Sequence, residues 1–384
     1  MQSGLSRQLS VEDIGVPVLR SNNIVKGHID LNDIKYWYLN DTKGATTENY
    51  FLKKEDLLVN FINSIHKMGK CAVYNDELER PTIFTTNLMR LNFKNDIDTY
   101  FIYYFFNTTY YKNYIDMITK PAVNQASFTT VDFKKMDLKM PNIEEQKKIS
   151  LFLKRVDNKI ELLEHKYQKY QDFKKYLMQQ IFTQKLRFAN FNEEYNEYSI
   201  SDLFTSKKGS GLSKDAIEDD GANKCVLYGE LYTTYSEIID QVQSKTNSEC
   251  NSLSKKGDIL IPASTTTKGI DLVTASVILE DNIYLGGDIT ILRNKDESIV
   301  NNSYFAYYFT NGLIKDVSRL TQGSTIIHLY WKDFKKVNVK LPSINEQEKI
   351  ANMFVDIDRK LNEINYAIET THKFKRGLLQ QMFV

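Results

Sequence analysis

Few side chains in this sequence are placed to do covalent or metal chemistry. The five histidines (His28, His66, His165, His328, His372) are scattered, and none has a partner at metal-ligand spacing. Cys71, Cys225 and Cys250 are odd in number, far apart and not in CxxC pairs. That argues against a disulfide framework or zinc site and for a reducing, cytoplasmic setting. There is no GxxxxGK[ST] loop, GxGxxG turn, HExxH pair or GxSxG elbow. All six prolines are isolated, which excludes the Asn/Asp-Pro-Pro-aromatic tetrapeptide of amino-methyltransferases. No catalysis, cofactor or metal is expected of the chain alone. Recognition chemistry remains. Polar, basic and aromatic loops carry Arg7, Arg20, Asn22, Asn23, Lys26, Asn63, Lys67, Asn124 and Gln125 in the first half. In the second half they carry Lys207, Lys208, Lys214, Thr265, Thr266, Lys268, Gln322, Ser324, His328, Tyr330 and Lys332. Arg, Lys, Asn and Gln can make paired hydrogen bonds to base edges, whereas Ser, Thr and Lys suit phosphates. For any single residue an ordinary solvated loop is the plainer reading, so the loops count only as sets.

Such loops need a scaffold, and an internal repeat supplies it. Residues 140–182 align without a gap on residues 341–383 at an offset of 201. Pro141 matches Pro342, Glu145-Gln146 matches Glu346-Gln347, and Gln179-Gln180 matches Gln380-Gln381. Upstream the repeat is weaker. Ser3-Gly4-Leu5-Ser6 aligns with Ser210-Gly211-Leu212-Ser213, and Lys53-Lys54-Glu55-Asp56 with Lys255-Lys256-Gly257-Asp258. Tyr100-Phe101 aligns with Tyr304-Phe305, and Asp132-Phe133 with Asp333-Phe334. Each unit is a diverged globular part followed by a preserved segment.

The preserved segments read as helices. Asn142-x-x-Glu145 and Ser343-x-x-Glu346 are capping boxes, each with a proline just before. Alternating 4,3 steps then place Ile149, Leu153, Val156, Ile160, Leu163, Tyr167, Tyr170, Lys174, Leu177 and Ile181 on one seam. The same steps place Ile350, Phe354, Ile357, Leu361, Ile364, Ile368, Thr371, Lys375, Leu378 and Met382 on the other. Each seam holds one lysine at the same relative position. A helix of this kind would be about 58 Å long at about 1.5 Å per residue. The plainer alternative is a surface helix lying on its own domain. The strict period and the duplication favour an antiparallel intramolecular coiled coil. The expected fold class is therefore α+β: two recognition domains separated by a long two-helix coiled coil, with pseudo-twofold repetition. The expected spans are 1–141 and 199–342 for the domains, 142–187 and 343–384 for the helices, and 188–198 for a linker.

Within the globular parts, Leu57-Leu58-Val59 and Ile259-Leu260-Ile261 read as buried strands, and Val273–Leu279 and Ile289–Leu292 as further strands. The aromatic stripes Tyr100–Phe106 and Tyr304–Phe309 read as helical, and as core rather than as base-stacking platforms. Net charge is only +1, so a DNA role must rest on local charge and specific contacts. From Asn142 to Arg187 there are eleven Lys/Arg against six Asp/Glu, whereas Ser343–Val384 has six against six. The first helix should then contribute most of any general attraction to DNA, unless this is a solvated face. No apolar run approaches the ~18 residues needed to span a bilayer.

The chain resembles the specificity subunit of type I restriction-modification systems. The resemblance rests on the Pro-x-Ile-x-Glu-Gln-x-x-Ile openings (Pro141–Ile149, Pro342–Ile350) and the Leu-x-Gln-Gln-x-Phe endings (Leu177–Phe182, Leu378–Phe383). Gly257-Asp258-Ile259-Leu260 and the two-copy layout add to it. The resemblance implies that each globular part reads one half of a bipartite double-stranded DNA target and that the paired helices fix the gap. It implies docking of two methyltransferase subunits, which carry S-adenosylmethionine, and of two restriction/translocase subunits. The first unit departs from the pattern. Tyr198–Lys208 of the second unit has no counterpart before Ser3-Gly4-Leu5, so the first domain is expected to be shortened. Two other readings stand beside this one: a coiled-coil protein scaffold without DNA binding, and the recognition subunit of a methylation-only system.

Overall fold

The structure is a computed structural model that describes every residue except Asn95, Asn124 and Val384. The chain divides into two units, Met1–Glu164 with Tyr366–Val384, and His165–Asn365. The division cuts both long helices, Ile143–Phe182 and Ile344–Met382, of 40 and 39 residues. Each unit therefore holds a globular domain and half of each helix. No helix is long and apolar enough to cross a membrane among the described residues.

In the first unit a four-stranded antiparallel sheet runs Gln2–Ser3, Leu88–Leu91, Leu57–Asn60, Cys71–Val73. Its strand Leu57–Asn60 opens on the apolar run Leu57-Leu58-Val59 because both faces are covered. Leu57 and Val59 pack with Phe101, Ile102 and Phe105 of the helix Thr99–Phe105, whereas Leu58 packs with Leu19, Tyr74 and Phe84. The second unit repeats the logic in a five-stranded sheet ordered Phe204–Lys208, Ile289–Asn294, Ile259–Pro262, Ser276–Ile278, Ile238–Ile239. There Ile259 and Ile261 face the helix Asn302–Asn311, and Leu260 joins the opposite cluster with Val226 and Ile291. The aromatic stripes are core in both units: Phe101, Tyr104, Tyr304, Phe305, Tyr307 and Phe309 are buried.

The helix halves run antiparallel within each unit. In the first, Leu153 packs with Leu379, Asp157 pairs with Lys375, and Glu164 lies near His372. In the second, Lys174 pairs with Asp358, and Leu177 and Ile181 share a core with Ile350 and Phe354. Leu153, Val156, Ile160, Leu177, Ile181, Ile350, Phe354, Ile357, Leu361, Ile364 and Thr371 are buried. Ile149, Leu163, Tyr167, Tyr170, Lys174, Ile368, Lys375, Leu378 and Met382 are half-buried. At the first capping box Asn142 Oδ1 accepts from the Glu145 N–H at 3.0 Å. The reciprocal bond expected of Glu346 gives way to an ion pair, because this buried carboxylate takes both Nε and Nη2 of Arg187 at 2.8–3.2 Å.

Strand register and helix caps each correct one of the upstream alignments. Ser3 pairs with Met89, which pairs with Val59; Lys208 pairs with Thr290, which pairs with Ile261. Ser3 therefore corresponds to Lys208 and Gly4 to Gly209, two residues away from the match by residue type. At Gly4 a Cβ would lie 2.1 Å from Phe84 O, and at Gly209 2.0 Å from Gly286 O. The stripes are offset by one, because Asp98 caps one helix and Asn301 the other. Tyr104 then corresponds to Tyr307.

Candidate nucleic-acid interface

In the second unit the strand Ile259–Pro262 continues past Ala263 into Ser264–Thr265, which pairs antiparallel with Ile327–His328. Gln322 and His328 close a hairpin by exchanging backbone hydrogen bonds of 2.9 and 2.7 Å. Its tip is Gly323-Ser324-Thr325-Ile326, with Gly323 at φ +120°, a conformation that favours glycine. The tip is exposed, and Ile326 is half in solvent. Beside it His328 stacks on Tyr330 with ring centres 5.5 Å apart, and Lys332 Nζ lies 5.3 Å over the Tyr330 ring. The loop with exposed Thr266 and Lys268 packs close by, since a Cβ at Gly269 would lie 2.5 Å from Thr321 Oγ1. Lys207 and Lys208 are exposed on the strand that ends where Gly209 N–H bonds Ile289 O. Ala263 N–H bonds the adjacent Asp288 O, so both lysines approach the same end of the sheet.

Thr265 and Lys214 do not join this surface. Thr265 is 1% exposed, and its hydroxyl is taken by Thr267 Oγ1 at 2.7 Å, so it shapes the loop rather than facing a ligand. Lys214 is exposed on a short turn whose next residues bond to the 245–246 strand through Glu218 N–H to Lys245 O and Thr246 Oγ1 to Ala216 O.

The first unit repeats the arrangement with different residues. Ile62–Asn63 pairs with Ala126–Ser127, which pairs with Lys120–Pro121, and Ala122 N–H bonds Gln125 O at 2.8 Å across the tip. Val123 and Gln125 are exposed there; Asn124 lies outside the described residues. Asn22 Oδ1 accepts from Lys67 Nζ at 3.2 Å, which brings the Arg20–Asn23 turn against the loop that follows Asn63. Asn63 Oδ1 accepts from Ser64 N–H, while its buried Nδ2 finds no acceptor among the described residues.

Four residues of the first set hold the fold instead. Asn23 is 2% exposed; its Oδ1 accepts from Arg20 N–H at 2.9 Å and its Nδ2 donates to Asp30 O at 2.8 Å. Arg20 is engaged by Asp33, through its carbonyl at 2.6 Å and its carboxylate at 2.5 Å. Arg7 bonds the Asp41 carboxylate through Nε at 3.1 and 3.2 Å and through Nη2. That contact holds the Asp41 carboxyl well below the usual range. Lys26, at φ +50°, turns a separate two-residue hairpin whose His28 lies 3.7 Å from Glu161 of the long helix.

The residues that sequence reasoning missed are those that seat each domain on its helices. Gln146 is buried; its Oε1 accepts from Asp98 N–H at 3.0 Å and its Nε2 donates to Pro141 O at 2.8 Å. Gln347 does the same with Asn301 N–H at 3.0 Å and Pro342 O at 2.9 Å. Tyr104 donates to Asp157 at 2.9 Å and Tyr307 to Asp358 at 2.7 Å. The two seam lysines complete these triads: Lys375 meets Asp157, and Lys174 meets Asp358 at 2.7 Å and Glu237 at 3.1 Å. Burial works against the Lys174 ammonium, but the two carboxylates outweigh it and raise its pKa. Burial, with the adjacent aspartate, pushes the phenols of Tyr104 and Tyr307 up. The signal lay in the repeat, since Asp157 and Asp358 share the same offset of 201 as the lysines.

With this doubled geometry established, comparison with known proteins decides the family. The type I restriction modification DNA specificity domain matches twice, over residues 10–171 and 192–371. The chain belongs to the type I restriction-modification specificity family. It is 24% identical over 391 residues to a protein described as the specificity subunit of type I restriction enzyme MjaX from Methanocaldococcus jannaschii. That match covers 99% of this chain and 89% of the relative. It is 24% identical over 150 residues to the EcoKI specificity subunit of Escherichia coli, covering 39% of this chain and 32% of that one. The fold is similar to the S subunit of a type I system from M. genitalium, with TM-score 0.62, 15% identity, and coverage of 100% of this chain and 93% of the other. A chain from a study of assembly and conformational transition in a type I system matches with TM-score 0.56 and 12% identity, over 99% and 95% of the two chains. As a type I specificity subunit, the chain has DNA target recognition as its role.

Proposed function

We propose that each recognition domain reads one half of a bipartite double-stranded DNA target through its hairpin surface. The observation that carries this is that the same hairpin, at the same sheet end, recurs with different side chains. Exposed Gln125 stands in one domain where exposed Ile326 stands in the other. A shared scaffold with diverged tips is what two different half-sites require. In this reading Gln125, Lys67 and Asn22 contact the first half-site. Gln322, Ser324, Thr266, Lys268, His328, Tyr330 and Lys332 contact the second, with Lys207 and Lys208 on phosphates.

The helices fix the gap between half-sites and dock two methyltransferase subunits. They carry apolar side chains outside the seam, including Leu151, Phe152, Leu162, Tyr366 and Phe374 in the first unit and Phe173 and Tyr176 in the second, all at least 40% exposed. Large exposed apolar side chains of this kind mark protein contacts. S-adenosylmethionine belongs to the methyltransferase partners, two restriction/translocase subunits complete the assembly, and this chain performs no chemistry itself.

Mapping adenine methylation in cells with and without the gene tests the reading. A bipartite motif should vanish with the gene. Exchanging Gln322–Lys332 for residues 121–131 should alter one half of that motif and leave the other. If no bipartite motif depends on the gene, or if both halves change together, the proposal fails.

A further inference from the structure

Each hairpin tip carries a branched aliphatic side chain that no apolar core takes up among the described residues. In the second unit Ile327 turns into the core, whereas its neighbour Ile326 is 50% exposed and joins none of the apolar clusters. The tip is shaped around it, since a Cβ at Gly323 would lie 2.0 Å from Ile326 O. The rings beside it are engaged with each other, His328 on Tyr330 and Lys332 Nζ over Tyr330. In the first unit Val123 is fully exposed at the tip that Ala122 N–H closes on Gln125 O.

Isolated exposed aliphatic side chains are ordinary on a protein surface. Here one recurs at the apex of both ribbons, and at positions that do not correspond, because Ile326 matches Gln125 and not Val123. Duplication does not account for that recurrence, and what the tips face does.

We propose that Ile326 in the second unit and Val123 in the first each read a thymine through contact with its 5-methyl group. This rests on the hairpin reading of the half-sites proposed above. A two-stranded ribbon enters the major groove, about 12 Å wide, and is too broad for the minor groove, about 6 Å wide. The base edges in the major groove are hydrogen-bonding groups with one apolar exception, the thymine methyl. An aliphatic side chain held at the apex of such a ribbon therefore has one complementary partner on the groove floor. Insertion between base steps, the other use of an apolar side chain on DNA, belongs to proteins seated in the minor groove.

The full chain with its methyltransferase partners, bound to duplexes carrying the methylated motif, tests this. Replacing each thymine of the second half-site in turn by uracil removes the methyl group alone. At one position the exchange should weaken binding about fourfold, the effect of one buried methyl-sized group. Ile326→Ala should weaken binding to the thymine duplex by a similar factor and abolish the difference between thymine and uracil there, and Ile326→Val should keep most of it. Val123→Ala should do the same at one thymine of the first half-site and leave the second unchanged. Discrimination that survives in Ile326→Ala overturns the inference, as does the lack of any methyl-sensitive thymine in a motif that depends on the gene; the bipartite reading stands in both cases. Equal weakening of thymine and uracil duplexes by Ile326→Ala overturns it as well, since the tip would then act as a wedge or a nonspecific contact. A gene whose loss removes no bipartite motif sinks the underlying reading, and this inference with it.

Discussion

Each seam has a lysine where an apolar residue would pack, and each lysine meets an aspartate of the opposing helix that also receives a tyrosine from the globular domain. Such a cluster ties three segments at one point, so its value is in register more than in bulk stability. At Lys174 both partners are mostly buried, with side-chain exposures of 14% and 20%. Truncation in Asp358→Ala strands the ammonium with Glu237 alone and should cost about 2–4 kcal/mol in chemical denaturation, somewhat below the range for fully buried pairs. The triple variant Lys174→Met, Asp358→Leu, Glu237→Gln, which leaves no buried charge of the cluster unpaired, should recover most of that loss, and equal destabilisation of single and triple variants would refute the account. The pH dependence follows from the raised Lys174 pKa. A group whose folded pKa is raised contributes its full stability below its unfolded value, about 10.4 for lysine, and loses it as pH rises through the folded value. Above about pH 10.4 the denaturation midpoint should fall more steeply for the wild-type chain than for Lys174→Met; parallel curves would show that the ion pair contributes nothing.

At the scale of elements, the two copies solve the same problem with different residues. The turn before the central strand needs a left-handed residue. Gly257 supplies it at φ +91°, whereas Glu55 occupies it at φ +69°. Both turns are tied by the next aspartate, with Lys53 N–H to Asp56 and Lys255 N–H to Asp258 at 2.8 Å each. A side chain at positive φ costs about 1 kcal/mol. Glu55→Gly should therefore be neutral or stabilising by up to about 1 kcal/mol, and Gly257→Glu destabilising by at least that much, because its Cβ would also crowd Asn302 Nδ2 at 3.2 Å. The reverse order in thermal denaturation would show that turn conformation does not govern this site. The helices, central strands and aromatic cores were legible because periodicity and burial are written in residue type. The candidate contact loops were readable only as sets. Asn23 and Thr265 have side chains suited to DNA, but the same small polar groups also close turns, and burial decides between the two uses. The glutamine clamps escaped notice because their partners are backbone groups of other segments. Residue identity misplaces the offsets at Ser3 and Tyr100 because strand register governs the first and the helix cap the second.

For the whole molecule the issue is what two long helices accomplish that two linked domains would not. Flexibly tethered readers tolerate a range of target gaps, since their effective concentration changes slowly with separation. In the function proposed above, readers on continuous helices would impose one spacing. Net charge is near zero while the first helix segment is basic, so in the proposed function the general attraction to DNA would be local and set by where that segment lies. Ionic contacts of this kind weaken with salt without altering the sequence preferred. Charge reversal at Lys147 and Lys148 should thus lower affinity for all targets alike and leave the methylation motif unchanged. The spacing claim has its own test. Inserting seven residues near position 166 of the first helix and seven near position 366 of the second preserves seam phase and extends each helix by about 10.5 Å. At about 3.4 Å per base pair along the duplex, the gap in the methylated motif should lengthen by about three base pairs with both half-sites unchanged. Insertion in one helix alone breaks the pairing of Lys174 with Asp358 or of Lys375 with Asp157 and should abolish methylation. If the doubly lengthened chain methylates the original spacing with undiminished efficiency, the helices do not set the gap.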